Sequence, residues 1–319
     1  MVRAARAAGA AQQVTLARHT SLVAVCVALC ACAGAAPHAG ESRSAPSWEE
    51  AANATYAGIE ASPVALSGGL HEGEPFAPGG ASRPRVELVP GFWLSGDLDG
   101  DGAPEAIVLL DASSGGSGTD LYLAALSRDG GRVVERGAAL VGNRAQVRGA
   151  RVEGSRVVLD VVQAGPSDAM CCPGEKATRA FVLEGEGLVE VESRATGRLS
   201  PGDLAGVEWL LVERNMQPVA AEPEQTLVVE GSRVSGQGGC NHYFGELRAG
   251  AGPGELAIGP IGATRMACEE SVMEAEARYL AALEHAAKFG FVAGRLALTS
   301  RTDDPLETLV FRARSLSPP

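Results

Sequence analysis

Lysine is nearly absent: Lys176 and Lys288 are the two in the chain, and every other basic residue is arginine. Aromatic residues are scarce as well, at 4% of the sequence. No basic stripe interleaved with aromatics can be drawn from so few, and a formal charge of −12 repels phosphate backbones, which argues against nucleic acid as a partner. No run reaches the ~20 apolar residues that a membrane-crossing helix needs. Signatures of catalysis are missing too. There is no His-Glu-x-x-His and no nucleophile elbow. The five histidines show no zinc-like spacing with the cysteines. Ser113-Ser-Gly-Gly-Ser-Gly118 lacks the Gly-Lys-Ser/Thr ending of a phosphate loop, and spacing alone singles out no acid pair for glycoside hydrolysis. A non-catalytic protein is therefore expected.

What is present begins with an address. Arg3, Arg6 and Arg18 precede the apolar run Ser21–Cys32, and no acidic residue occurs before Glu41, the pattern of a secretory signal peptide over residues 1–31. Leu29-Cys30-Ala31-Cys32 resembles a bacterial lipobox, with Cys30 departing from the usual residue at its position. That resemblance implies acylation of Cys32, anchoring to a membrane and residence in the cell envelope. Several acyl chains on one cysteine anchor stably where one is marginal. Ala31-Cys-Ala33 offers ordinary cleavage as the alternative, giving a soluble periplasmic or secreted protein. Removal of residues 1–31 takes three arginines and no acids, leaving a charge near −15. Residues 32–47 lack periodicity and read as a lipidated tether.

The remaining length suits about two ordinary domains. Beyond Cys32 four cysteines remain, 171, 172, 240 and 268, an even count that favours disulfides over metal in an oxidising compartment. Residues 48–194 read as an antiparallel β-rich domain. Strands are expected at 105–110, 121–126, 146–152, 156–162 and 179–183, separated by glycine turns, with a short helix near Glu49–Ala54. Residues 195–202 read as a linker.

Two segments of this first domain carry chemistry. Asp97, Asp99 and Asp101 occupy positions 1, 3 and 5 of a loop with Gly102 at 6 and Glu105 at 9, a ligand spacing for Ca²⁺. Val108 stands where an EF-hand has its bidentate Glu, and the flanks are strand-like, so the loop resembles the calcium loops of FG-GAP-type β repeats. A solvated Asp/Gly turn is the alternative. Cys171 and Cys172 lie in Gly165–Pro173, which resembles a stretch of bacterial lipoproteins that carry a similar acidic loop. A vicinal disulfide there is conceivable, and adjacent thiols keep a thiol-redox role as a minor alternative.

The last domain, 203–316, shows strands at 207–212, 225–230, 233–235, 296–299 and 308–312, with Gly231-Ser232 as a two-residue hairpin turn. One helix is expected from a capping box at Ser271–Glu274 to a stop at Gly290. Trp209, Gly236-Gln-Gly-Gly-Cys240-Asn241, Tyr243, Gly245, Thr264-Arg-Met-Ala-Cys268, Met273, Glu276, Leu280, Leu283 and Leu296-x-Leu298 follow one another in an order that resembles the META domain (heat-shock-protein HslJ-like) family over about a third of the chain. The resemblance implies a β-barrel-like envelope domain with one packed helix, linked to heat-shock response, antibiotic tolerance or secretion. It supplies no catalytic residue. A Cys240–Cys268 bridge would then tie the glycine turn to the helix start and stabilise the domain by roughly 3–4 kcal/mol. Asn241, His242, Tyr243 and Arg265 form a candidate binding surface.

The expectation is thus a mainly β (α+β) chain of two small β-rich domains. It would be a non-catalytic envelope lipoprotein that binds or stabilises an envelope protein or small ligand. A calcium-dependent adhesion or recognition module is the alternative, with calcium as the one conceivable cofactor.

Overall fold

A computed structural model describes residues 44–300 and 306–314, apart from 117, 170 and 186. The leader, Cys32, most of the tether and the expected turn at Asp303–Pro305 lie outside the described residues.

The ordered chain starts at a short helix, α1 (Trp48–Ala51), because Ser47 and Glu50 close a reciprocal capping box: each side chain accepts the other's backbone N–H. β1 (Thr55–Tyr56) and β2 (Val64–Ala65) pair beside it. β3 (Leu70–Glu72), β4 (Arg85–Leu88), β5 (Leu94–Gly96), β6 (Glu105–Ser113), β7 (Asp120–Asp129) and β8 (Arg132–Asn143) form an antiparallel sheet of order β3-β4-β6-β7-β8, with β5 beside β6. β9 (Gln146–Glu153), β10 (Arg156–Gln163), β11 (Glu175–Glu184) and β12 (Gly187–Arg198) form a second sheet.

Side-chain alternation on β6 and β7 explains the layering. Ile107, Leu109, Leu121, Leu123 and Ala125 point toward the second sheet and meet Val157, Leu159, Val161 and Phe181. Ala106, Val108, Leu110, Ala124 and Leu126 point the other way, onto Ala51, Tyr56, Val64 and Val86. The first sheet is thus covered on both faces, which is why residues 105–110 are all buried and read as an unbroken apolar run rather than an alternating one.

The third region comprises β13 (Glu208–Arg214), β14 (Gln217–Pro218), β15 (Thr226–Glu230), β16 (Arg233–Gln237), β17 (His242–Ala249), β18 (Leu256–Ile258), β19 (Gly262–Ala263), α2 (Glu270–Glu284), β20 (Ala286–Val292), β21 (Arg295–Ser300) and β22 (Thr308–Arg314). Its sheet runs β18-β17-β16-β15-β13-β22-β21-β20. The two ends nearly meet: Phe289 N–H donates to Gly254 C=O at 2.7 Å, and Glu255 bridges Lys288. This makes an almost closed barrel, filled by Trp209, Leu227, Tyr243, Phe289, Phe311 and, from α2, Tyr279 and Leu283.

Three local expectations are corrected. Residues 195–202 are not a loose linker. Residues up to Arg198 continue β12, a 3₁₀ turn spans Pro201–Leu204, and Leu199 and Leu204 are buried in the barrel core. The helix begins at Glu270, with Glu269 as N-cap and no side-chain cap bond, so Ser271 sits inside it rather than capping it. It ends at Glu284, and Gly290 lies in β20, where burial alternates as in a strand. A run of small and apolar residues continuing past the helix mimicked its periodicity.

Candidate functional site

The glycine turn of the barrel is a knot of buried polar contacts. Asn241 is buried, and its Oδ1 accepts from the Thr264 hydroxyl at 2.8 Å and from Met266 N–H at 2.7 Å. Its Nδ2 and its backbone N–H both donate to Glu276 Oε2, at 3.1 and 3.2 Å. Glu276, on α2, is itself buried and presses on Gly238, where a Cβ would lie 2.9 Å from its side chain. Cys240 and Cys268 are joined, sulfur to sulfur at 1.97 Å, with Cα atoms 6.1 Å apart. Tyr243 and Tyr279 both donate their hydroxyls to Thr226 C=O, at 2.8 and 3.0 Å, and burial pushes both phenols well above their ordinary range. Asn241 and Tyr243 therefore face inward, while His242 and Arg265 are exposed. The four do not form one surface: two of them hold the turn to the helix.

The acidic loop joins β5 to β6. Asp97, Asp99 and Glu105 each place a carboxylate oxygen within 4.8 Å of the other two. Asp101 stands outside this group and accepts Ala103 N–H. Asp97 accepts from Gly100 and Gly102 N–H, and Glu105, which is buried, accepts from Leu98 N–H at 2.7 Å. Burial, with Asp99 and Asp101 nearby, raises the Glu105 carboxyl above its usual range, while the Leu98 N–H and Arg136 oppose the rise. Arg136 reaches Asp99 at 3.1 Å. Three converging hard oxygen donors fit a Ca²⁺ ion, and a divalent cation would relieve their mutual repulsion more fully than one guanidinium does.

Cys171 and Cys172 are joined to each other. Their loop is held by Asp168, which accepts from Gly165 and Gly174 N–H and pairs with Arg198, contacts that keep its carboxyl far below the usual range, the Arg198 bond foremost.

Another opening lies where the tip of the β20–β21 hairpin meets the sandwich. Ala293 and Gly294 both have positive φ, 50° and 79°, forming a tight two-residue turn. Gly294 N–H donates to Val147 C=O at 2.9 Å, Phe291 N–H donates to Gln146 Oε1 at 2.9 Å, and Ala293 packs into the sandwich core. Arg148 lies over the Phe291 ring at 5.4 Å, and Arg295 bonds Glu213. Beside this contact is a cavity of about 180 Å³. Leu109, Leu121, Val147 and Phe291 wall it, and Asp111, Arg144 and Gln146 supply polar groups. A neighbouring hollow of about 150 Å³ runs along Trp93 and shares Val147 and Ala293 with it. The sequence left one signal here: Asp111 continues the inward row Ile107, Leu109, where an apolar residue is expected. Arg144 stands in the short crossing between the sheets and Gln146 opens β9, and no motif marks either.

Residues 202–312 match the family model described as META domain, so the C-terminal third of the chain, the barrel with its helix, carries a META domain. Among solved structures, the NMR structure of the protein from Burkholderia xenovorans is similar at 27% identity, over 35% of this chain and 84% of that one, with a TM-score of 0.28. No curated protein matches the chain.

Proposed function

We propose that this is a non-catalytic, lipid-anchored protein of the bacterial cell envelope that takes up a small ligand between its β-sandwich and its META domain. The observation that carries this is the seam cavity, whose walls come from both parts: Leu109, Leu121 and Val147 from the sandwich, Phe291 and Ala293 from the barrel hairpin. Ligand sites favour such junctions, because two rigid bodies can enclose what neither face could. Acylation at Cys32 would hold the cavity near the membrane, and a link to stress or antibiotic tolerance would follow from ligand sensing or sequestration there. The test is a small-metabolite panel scored by ligand-induced rise in unfolding temperature, about 2.7 kcal/mol at a hundredfold excess over Kd. Thr119→Trp, at the exposed rim of the cavity, should abolish the rise for every hit. Hits that survive it would place binding elsewhere. An intact mass lacking acyl chains in membrane-prepared protein would remove the anchor.

A second reading is a calcium-dependent recognition module, favoured by the convergence of Asp97, Asp99 and Glu105. Titration with Ca²⁺ should then stabilise the protein, and Asp97→Asn with Asp99→Asn should remove the effect. Equal stability in calcium and in chelator would end it.

A further inference from the structure

We infer that Cys171–Cys172 is a reversible thiol–disulfide exchange site, opened by a dithiol reductant, closed by a disulfide oxidant and assisted by Lys288 of the barrel. The exchange is stoichiometric, one round per chain, and stands on the cysteine loop alone, independent of the ligand reading above.

The two bridges of the chain do different things. Cys240–Cys268 joins residues 28 apart, with Cys240 buried, and ties the glycine turn to the start of α2. Cys171–Cys172 joins neighbours. A cross-link stabilises chiefly through the length of chain it closes, so a bridge between adjacent residues adds little to the fold. Nor does the loop depend on it. Asp168 accepts Gly165 and Gly174 N–H at 2.8 and 2.9 Å and pairs with Arg198. Cys172 N–H donates to Ala169 C=O at 2.9 Å, and Leu199 N–H donates to Gly174 C=O at 2.8 Å. Gly174 is pressed so closely on Pro253 that a Cβ there would collide with it. These contacts hold the loop backbone whether or not the two sulfurs are joined. What the pair adds is chemistry.

Access and charge fit that chemistry. Cys171 is exposed and Cys172 half-buried. Both line a hollow of about 150 Å³ where the sandwich meets the barrel, with Pro253, Glu255, Lys288 and Phe289 on its other side. Exposed bridges are the ones that exchange readily. The Glu255 carboxylate is turned to Gly252 N–H at 3.0 Å, and no described carboxylate lies within ion-pair distance of Lys288. Its ammonium is left to favour thiolate over thiol in the hollow. In the exchange, one thiolate of the dithiol attacks Cys171 Sγ, the exposed sulfur. The Sγ–Sγ bond breaks, and its electron pair leaves on Cys172 Sγ. The second thiolate of the dithiol then attacks the mixed disulfide and releases Cys171 Sγ. The chain gains two electrons, and the two protons lost by the dithiol pass through water to the two cysteine thiolates. The dithiol departs as a disulfide.

The probe is dithiothreitol, applied at graded concentrations to the folded, full mature chain, with free thiols alkylated and located by peptide mass spectrometry. Cys171 and Cys172 should be labelled together at a concentration at least tenfold below the one that opens Cys240–Cys268, with the circular dichroism spectrum unchanged. Removing the reductant and adding glutathione disulfide should close the pair again. Lys288→Met should slow the opening severalfold, and an unchanged rate would overturn the part given to Lys288. Cys171→Ser combined with Cys172→Ser should unfold close to the wild-type temperature. Opening of the pair only as the chain unfolds would overturn the exchange site, as would opening of both bridges at one concentration or failure of the reduced pair to close. A double variant that loses as much stability as Cys240→Ser with Cys268→Ser would do so too, by making the pair a second structural staple.

Discussion

Gln146 and Phe291, 145 residues apart in the chain, meet at 2.9 Å, the side-chain oxygen of the first accepting the backbone N–H of the second. Phe291 sits one residue from the end of β20, and Gln146 opens β9, so this bond joins the barrel hairpin to the sandwich. Gln146→Leu keeps the bulk and removes the acceptor. The Phe291 N–H is then left without its partner in a packed seam, which costs about 1–3 kcal/mol. We expect a lower denaturation midpoint with an unchanged slope if the two parts unfold together. A slope that falls, or a transition that splits in two, would show that the seam couples them.

Asn241 and Glu276 should be strongly coupled. Asn241→Ala strands the Thr264 hydroxyl and the Met266 N–H and takes one of two donors from Glu276, which keeps the backbone N–H of residue 241; each buried group left unpaired costs about 1–3 kcal/mol. Glu276→Gln keeps an oxygen acceptor and should cost less, about 1–2 kcal/mol. A double-mutant cycle read by urea unfolding should return a coupling of at least ~1 kcal/mol. Additive effects would show that the two residues act apart.

Much of this site was legible and part of it was not, for a physical reason. The strands at 105–110, 121–126, 156–162 and 225–230 announced themselves because their apolar content follows burial directly. The short helix at Trp48 was legible through its capping residues. β8 and β12 were not, because their burial patterns are mostly intermediate or exposed and leave little alternation to read. Motif residues such as Asn241 and Cys240 stood out by type, but type does not give direction. Asn241 and Tyr243 point inward because the turn is anchored to α2 by Glu276. The seam cavity was invisible, since it is made by residues between 89 and 147 and by 291–293, whose proximity is a property of topology alone.

Gly236 separates the two reasons a glycine can be needed. Its φ is ordinary, yet a Cβ there would lie 2.0 Å from Thr226 C=O and 3.1 Å from the Tyr243 ring. Thr226 C=O is the acceptor shared by Tyr243 and Tyr279, so displacing it disturbs both buried hydroxyls. Gly236→Ala should destabilise by about 2–4 kcal/mol through overpacking and lost hydrogen bonds. Gly116→Ala, with nothing near its Cβ, is the matched control and should stay within about 0.5 kcal/mol of wild type. Equal effects would mean that the close approach at Gly236 relaxes at no cost.

Acid should weaken the protein partly through Glu50. Arg128, reaching across from β7, hydrogen-bonds both Glu50 carboxylate oxygens at 2.8 and 2.6 Å, and Ser47 N–H adds a third bond. These contacts, the Arg128 hydrogen bonds foremost, lower its carboxyl from 4.5 to about 2. In the unfolded chain the group binds its proton first, so the native state is favoured above pH 4.5 and this contribution drains away as pH falls toward 2. The Glu50 side chain is 37% exposed, so screening reduces what would be roughly 3 kcal/mol to about 1 kcal/mol. Asp111 works in the opposite sense. Its raised carboxyl keeps a proton longer in the native state, so its contribution declines as pH rises through the values above 3.8. Unfolding free energies measured from pH 2 to 7 should therefore lose steepness between about 2 and 4.5 in Glu50→Gln. In Asp111→Asn they should gain stability chiefly at the upper end. A Glu50→Gln curve parallel to wild type would mean that Arg128 contributes packing to α1 rather than charge.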